Sequence, residues 1–231
     1  MTLRDLISDL YLAIQQNVSD DTVIDDRLLA HFIHKQRALW IRNELNNGRT
    51  VDSNITQEYT AAITAATLPE VDGIPEGYTV YKTSTTLPRT IELHYRPAIE
   101  HVTPIYSNSD YSYKIKPFKV VDFSTAQYVG NGKFSKGKIF AYPENELLYI
   151  LIPDEGFYEA FTSIKIKGIF ENPEEVSGYV FETSKYPLSL HMWNYIKGTI
   201  LNEDLRQFYV SNEDPINNSS NDLKNSNGQE K

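Results

Sequence analysis

The sequence predicts an α+β fold with a helical start, a β-rich middle and a helical end. Apolar residues recur at helical spacing through the first 46 residues. From Val51 to about Tyr186, β-branched and aromatic residues dominate, prolines recur and apolar runs shorten to strand length. We therefore expect an N-terminal helical hairpin at 1–50, a β-rich region with long loops at 51–186, a C-terminal helix at 187–210 and a polar tail at 211–231.

Two helices are predicted before the β-rich region. The first covers residues 3–16 behind a capping Thr2, and its apolar stripe is Leu3, Leu6, Ile7, Leu10 and Ile14. The second covers about 22–46, where Asn47 and Gly48 tolerate the left-handed conformation that ends a helix. Its main stripe is Leu29, Ile33, Gln36 and Trp40, with Leu28, Phe32 and Leu39 beside it. The short connection between the helices favours antiparallel neighbours packed through their apolar faces.

The middle of the chain has the composition of short strands. The predicted strands are 61–67, 78–83, 90–95, 114–121, 138–142, 147–152 and 162–170, with a short helix at 123–129. Prolines recur in the loops and restrict extended pairing, so we do not expect a tidy closed barrel.

The C-terminal part combines a helix with a polar tail. Pro187 suits the first position of a helix, and two apolar lines on it predict two packing partners: Leu188, Met192, Tyr195 and Thr199, then Leu201, Leu205 and Phe208. Residues 211–231 hold too few apolar groups to offset their ordering entropy. We expect this tail to become ordered only against a partner chain.

Composition excludes several classes of function. There is no cysteine, which removes disulfides and thiolate sites and fits assembly in a reducing compartment. No apolar run approaches the roughly 18 residues of a membrane span, so we expect no membrane partner. The net charge of −9 opposes generic nucleic-acid binding.

One segment resembles a phosphate-binding loop. Gly132 to Lys138 match its first seven positions, but Ile139 stands where a Ser or Thr would hold magnesium. The following Phe140–Pro143 is strand-like, whereas a phosphate site needs a helix N-terminus there. We interpret the segment as a Gly- and Lys-rich turn.

The sequence gives little support for a metal site or a catalytic site. His31 and His34 lie three residues apart on a predicted helix, but no third ligand is evident. The carboxylate pairs Asp154–Glu155 and Glu174–Glu175 flank turn residues, which favours solvated turn charges over acid–base catalysis. No nucleophile motif surrounds any histidine. The sequence therefore predicts no enzyme, no cofactor and no metal.

Charge and aromatic content favour association with other proteins. Residues 1–30 hold six aspartates against two arginines, whereas residues 114–138 hold six lysines against one aspartate. Such asymmetry suits head-to-tail self-association, and we assign Lys133, Lys136 and Lys138 to lateral contact between copies or to the lumen. The 16 tyrosines suit wet protein interfaces.

Three stretches resemble a known family. Arg37–Asn43, Tyr128–Phe134 and Lys167–Pro173 are similar to the neck or adaptor ring proteins of short-tailed bacteriophages, particularly the crAss-like group. The resemblance covers the chain up to the polar tail. It implies a virion structural protein, assembled in the host cytoplasm, that forms a ring of roughly twelve copies.

The resemblance also implies partners. The ring would dock beneath the portal protein, offer its other face to the next tail or ring protein, and surround the DNA conduit without sequence specificity. The C-terminal helix or tail would face the portal, and we predict its anchors to be Trp193, Tyr195, Phe208 and Tyr209. The alternative is a β-rich carbohydrate- or protein-binding module of a tail or cell-surface assembly, which would use the tyrosine-rich loops.

Overall fold

The computed structural model describes residues 1–14, 24–66, 77–94, 96–106, 117–129, 138–154 and 161–206. Within these residues the α+β class is confirmed. The helices are α1 (Leu3–Ile14), α2 (Asp26–Asn46), α3 (Phe123–Ala126) and α4 (Leu190–Thr199), and α4 continues into a π-helix at Ile200–Asp204. The strands are β1 (Gln57–Ala65), β2 (Tyr78–Thr83), β3 (Ile99–Ile105), β4 (Lys119–Val120), β5 (Phe140–Glu144), β6 (Leu147–Pro153) and β7 (Ser163–Gly168).

The seven strands form one mixed sheet in the order β3-β7-β1-β2-β6-β5-β4. The sheet curls until its two edges meet at a bridge between Val102 of β3 and Phe118, where the Phe118 amide donates to the Val102 carbonyl at 2.7 Å. Its shape is therefore barrel-like, and more closed than the sequence indicated. Among the described residues this one bridge joins the two edges, so the seam has fewer pairs than the neighbouring β3–β7 pairing.

Most predicted elements are present, but the segment 90–95 is not a strand. Thr90 forms an isolated bridge with Phe170, and Glu92 forms one with Pro97. A longer pairing does not form among the described residues of this segment, because the chain turns back between Glu92 and Pro97. Strand β3 was missed, since Pro104 and the polar His101 and Thr103 weaken its pattern. Proline is tolerated there because β3 lies at the edge of the sheet.

The observed boundaries differ from the predicted ones in both strands and helices, and β1 begins at Gln57, four residues before the predicted start at 61. Helix α4 begins at Leu190, not at Pro187, because the Ser189 hydroxyl caps the Met192 amide. Helix α2 begins at Asp26, and the predicted ends at 16 and 210 lie outside the described residues. The predicted strand 114–121 is described only from 117 and is reduced to β4.

The helices at the two ends of the chain belong to one hydrophobic cluster. Leu6 and Leu10 of α1, Ile33 of α2 and Trp193 of α4 are all buried in it. The same cluster includes Ile55, Ile91, Ala98 and Ile169 from the β-rich region. The segments 1–50 and 187–206 therefore form a single helical layer against the sheet, while two further clusters fill the barrel-like body.

Candidate functional site

Polar side chains fix α4 within the helical layer. Asp9 of α1 accepts hydrogen bonds from the Trp193 indole Nε1 and from Lys197 Nζ, each at 2.8 Å. Burial raises the pKa of Asp9, but these two hydrogen bonds outweigh it and hold the pKa below its usual value. The carboxylate therefore stays ionised at neutral pH and ties α1 to α4.

A second carboxylate fixes the end of the C-terminal helix. Asp204 accepts from Lys35 Nζ and from Gln36 Nε2 of α2, each at 2.6 Å. The Asp204 side chain is only 7% exposed, whereas that of Lys35 is 45% exposed. The bond to Gln36 is therefore better shielded from solvent screening than the bond to Lys35. The π-helix is thereby tied to α2 just before the described chain ends at Arg206.

Arg37 of α2 joins three separate segments. Its guanidinium is 0% exposed and donates to the carbonyls of Pro187, Phe170 and Ile55 at 2.9, 2.8 and 3.2 Å. The ring of Tyr186 lies 5.7 Å from its central carbon. Burial lowers the pKa of Arg37, but an arginine remains protonated in proteins. A buried cation thus organises the segment that leads into α4.

The histidine predicted as a possible ligand belongs to the same polar cluster. His34 Nδ1 lies 2.8 Å from the Tyr186 hydroxyl, and Nε2 lies 3.6 Å from a Glu174 carboxylate oxygen. Burial, and then the charge of Arg37, lower the pKa of His34 to about 4, so the ring is neutral at neutral pH. His31 does not complete a metal site, and the described residues hold no group of three or more His, Cys, Asp or Glu arranged around one ion.

The His34 environment predicts a loss of stability on acidification. The unfolded chain takes up a proton on this ring near pH 6.5, whereas the folded chain does so only near pH 4. The free energy of unfolding should therefore fall by about 1–3 kcal/mol across this window. Urea unfolding at several pH values measures it, and His34→Gln should remove that part of the dependence.

The matched control is His101→Gln, which makes the same substitution at a solvent-exposed position. Burial also raises the pKa of Glu174, and its protonation in the folded state opposes the loss. Because His34→Gln retains Glu174, the difference between wild type and this variant gives the contribution of the His34 ring to the pH dependence. A wild-type profile identical to that of His34→Gln would contradict the prediction.

Helices α2 and α4 enclose a groove of about 590 Å³ on the outer side of the helical layer. On α2 its wall includes Leu39 and Trp40, and on α4 it includes His191 and Tyr195. Leu39 is 43% and Tyr195 is 62% exposed, although both are large apolar groups. Arg49, which pairs with Glu44 at 3.0 Å, and Glu203 line the same groove. We call this feature the α2–α4 groove.

The four predicted anchors fall in different places. Trp193 is 2% exposed and packs in the core, so in this fold its ring stabilises the helical layer and does not reach the surface. Tyr195 lies in the α2–α4 groove, open to solvent. Phe208 and Tyr209 lie outside the described residues. Sequence reasoning missed Leu39 as a surface residue because its spacing places it beside the buried stripe of α2.

The predicted basic segment is mostly outside the described residues. Lys133 and Lys136 lie outside the described residues, and Lys138 is exposed two residues before β5. A strand therefore follows the glycine- and lysine-rich segment, as its sequence indicated. Asp154 accepts from the Thr79 hydroxyl at 2.6 Å, and Glu174 and Glu175 lie in a short 3-10 turn capped by Asn172. The contacts of these carboxylates are those of side chains that stabilise a strand end and a turn.

The described surface exposes a few large apolar side chains, of which Leu39 and Tyr195 share the α2–α4 groove. A family model described as phage tail ring protein 2 matches residues 5–223. The chain belongs to this family and is a ring protein of crAss-like phage tails, and therefore a structural component of the virion that assembles as an oligomeric ring.

The match extends to residue 223 and so includes much of the polar tail, which the sequence resemblance had left out. No curated protein matches the chain. Within the described residues, no helix has the length and apolar character that a bilayer span requires.

Proposed function

We propose that this chain forms the adaptor ring between the portal and the tail, as a structural subunit without catalytic activity. Membership of the tail ring family supports a role in the tail, and the solvent-facing side of the C-terminal helix supplies a surface for a neighbouring ring. In this role roughly twelve copies close a ring around the passing genome, and the face opposite the portal receives the next tail or ring protein.

The observation that carries the proposal is Tyr195. It is an exposed aromatic side chain on a helix that three polar ties hold in place, through Asp9, Asp204 and Arg37. An aromatic ring on a rigid element loses little conformational entropy when a partner covers it. Tyr195, with Phe208 and Tyr209 beyond it in the chain, forms the proposed portal-facing surface.

The lysines are assigned to a different surface. Lys133, Lys136 and Lys138 contact the acidic N-terminal region of the adjacent copy, or they line the lumen. The exposure of Lys138 is consistent with either contact. The net charge of −9 keeps the ring as a whole from retaining DNA strongly. The ring is assembled in the host cytoplasm and resides in the neck of the virion.

Substitution of Tyr195 tests the portal contact. Tyr195→Ser should weaken co-sedimentation with purified portal about tenfold or more, since a central interface tyrosine contributes at least about 1.4 kcal/mol. Tyr128→Ser is the matched control, because Tyr128 is also exposed but lies after α3, on the barrel-like body.

A truncation at residue 187 would not give a clean test. Trp193, Ile196 and Ile200 would be removed from the core together with the proposed surface. With the point variants, equal loss of portal binding for Tyr195→Ser and Tyr128→Ser would contradict the assignment. Binding of a monomer to a glycan array would favour the carbohydrate-binding alternative.

A further inference from the structure

The α2–α4 groove is a preformed surface that the described chain leaves uncovered. Its two walls are tied together by Asp204, which accepts hydrogen bonds from Lys35 and Gln36 of α2. Arg37, on the same turn of α2, bonds the Pro187 carbonyl and fixes the segment that leads into α4. The groove is therefore already formed before a partner binds. Apolar side chains, Leu39 and Tyr195 above all, are exposed within it.

The chain leaves the described fold beside this groove. Glu203 lines it, Asp204 is bonded to α2, Leu205 is buried, and Arg206 is the last described residue. One residue later comes Phe208–Val210, the longest apolar run in the segment 207–231. The family match extends through residue 223, so residues 207–223 of this segment belong to the matched sequence.

The segment is poorly suited to its own groove. The groove runs back along α4, so the same chain would have to reverse direction directly after Leu205. Residues 205–210 read Leu-Arg-Gln-Phe-Tyr-Val and contain no Gly, Pro, Asn or Asp, the residues that tight reversals use. A neighbouring copy presents its groove without that requirement.

We propose that Phe208–Val210 of one copy fills the α2–α4 groove of the next copy in the ring. Such a contact joins two different surfaces, as ring closure requires, and it covers Leu39 and the flank of Tyr195. The contact also has a consequence for portal binding, which rests on the proposed function. The portal-facing surface is complete only where Phe208–Val210 of one copy lies beside Tyr195 of its neighbour. Portal binding would then follow ring assembly.

A peptide titration tests the contact directly. The receptor is the full chain with its own segment disabled, Phe208→Ser with Tyr209→Ser, and the probe is a labelled peptide of residues 206–223. Saturable binding is expected, and Leu39→Ser in the receptor should weaken it about tenfold. Leu12→Ser is the matched control, because Leu12 is an exposed leucine on α1 outside the groove. An absence of binding up to about 1 mM, or equal effects of the two leucine variants, would overturn the proposal.

Complementation separates exchange between copies from docking within one copy. Leu39→Ser chains keep an intact segment, and Phe208→Ser/Tyr209→Ser chains keep an intact groove. Mixed, they should form a one-to-one pair by native mass spectrometry, because each partner supplies what the other lacks. Lack of this pair overturns exchange. Portal binding is measured separately on the wild-type ring, so its failure would contradict the adaptor role while leaving the contact between copies intact.

Discussion

Replacing Arg37 with methionine is expected to lower the free energy of unfolding by about 3–5 kcal/mol. Methionine fills a similar volume but cannot donate a hydrogen bond. The carbonyls of Pro187, Phe170 and Ile55 would then be buried without a donor, and these backbone groups cannot be removed by a compensating substitution. Urea unfolding followed by circular dichroism measures the change.

Two comparisons define what Arg37 contributes. Arg42→Met, on the same helix but exposed, should change the free energy of unfolding by no more than about 0.5 kcal/mol. Arg37→Lys retains the charge but not the planar fork that reaches three carbonyls, so its stability should lie between wild type and Arg37→Met. If Arg37→Met and Arg42→Met had equal effects, the buried guanidinium would not organise the helical layer.

Gly168→Ala should lower the free energy of unfolding by about 2–4 kcal/mol. A Cβ at this position would lie 2.8 Å from the Ala98 carbonyl oxygen and 3.4 Å from the Ile99 Cα. Both are backbone atoms, so no side-chain rotation relieves the clash, and β3 must move away from β7. The movement would also weaken the 2.9 Å bond from the Ile169 amide to that same carbonyl.

Gly198→Ala provides a control of opposite sign. Gly198 lies within α4, and nothing lies within 4 Å of the Cβ that alanine would add. Alanine is a better helix former than glycine, so this variant should be more stable by about 0.5–1 kcal/mol. Thermal unfolding of the two variants should shift in opposite directions. Two shifts of the same sign would contradict the close approach at Gly168.

Much of the fold followed from local pattern. The apolar stripe from Leu3 to Ile14 is buried as predicted, and the strand Tyr78–Thr83 has the predicted boundaries, because their side-chain periods are clear. Strand β3 was missed because Pro104 and polar neighbours mask its period. The segment 90–95 was predicted as a strand because its composition is strand-like. Its described residues make only isolated bridges because the chain turns back after Glu92.

The candidate site was less predictable. Trp193 and Tyr195 are two residues apart and equally aromatic, yet one is buried and the other exposed. A helix presents such positions to different sides, and local sequence cannot say which side the rest of the chain covers. From the sequence alone, Arg37 looks like an ordinary cation on a helix surface. Its acceptors cannot be recognised locally, because they are carbonyls 18 to 150 residues away in the sequence.

By itself the sequence determined the order of helical and β-rich segments, the acidic charge and the resemblance to phage ring proteins, because these depend on local periodicity and composition. Only the tertiary structure decided that the two ends of the chain share one helical layer, that Arg37 and Trp193 are interior, and that α2 and α4 leave an open groove. Burial depends on which surfaces meet, and contacts between Asp9 and Trp193, 184 residues apart, leave no trace in local pattern.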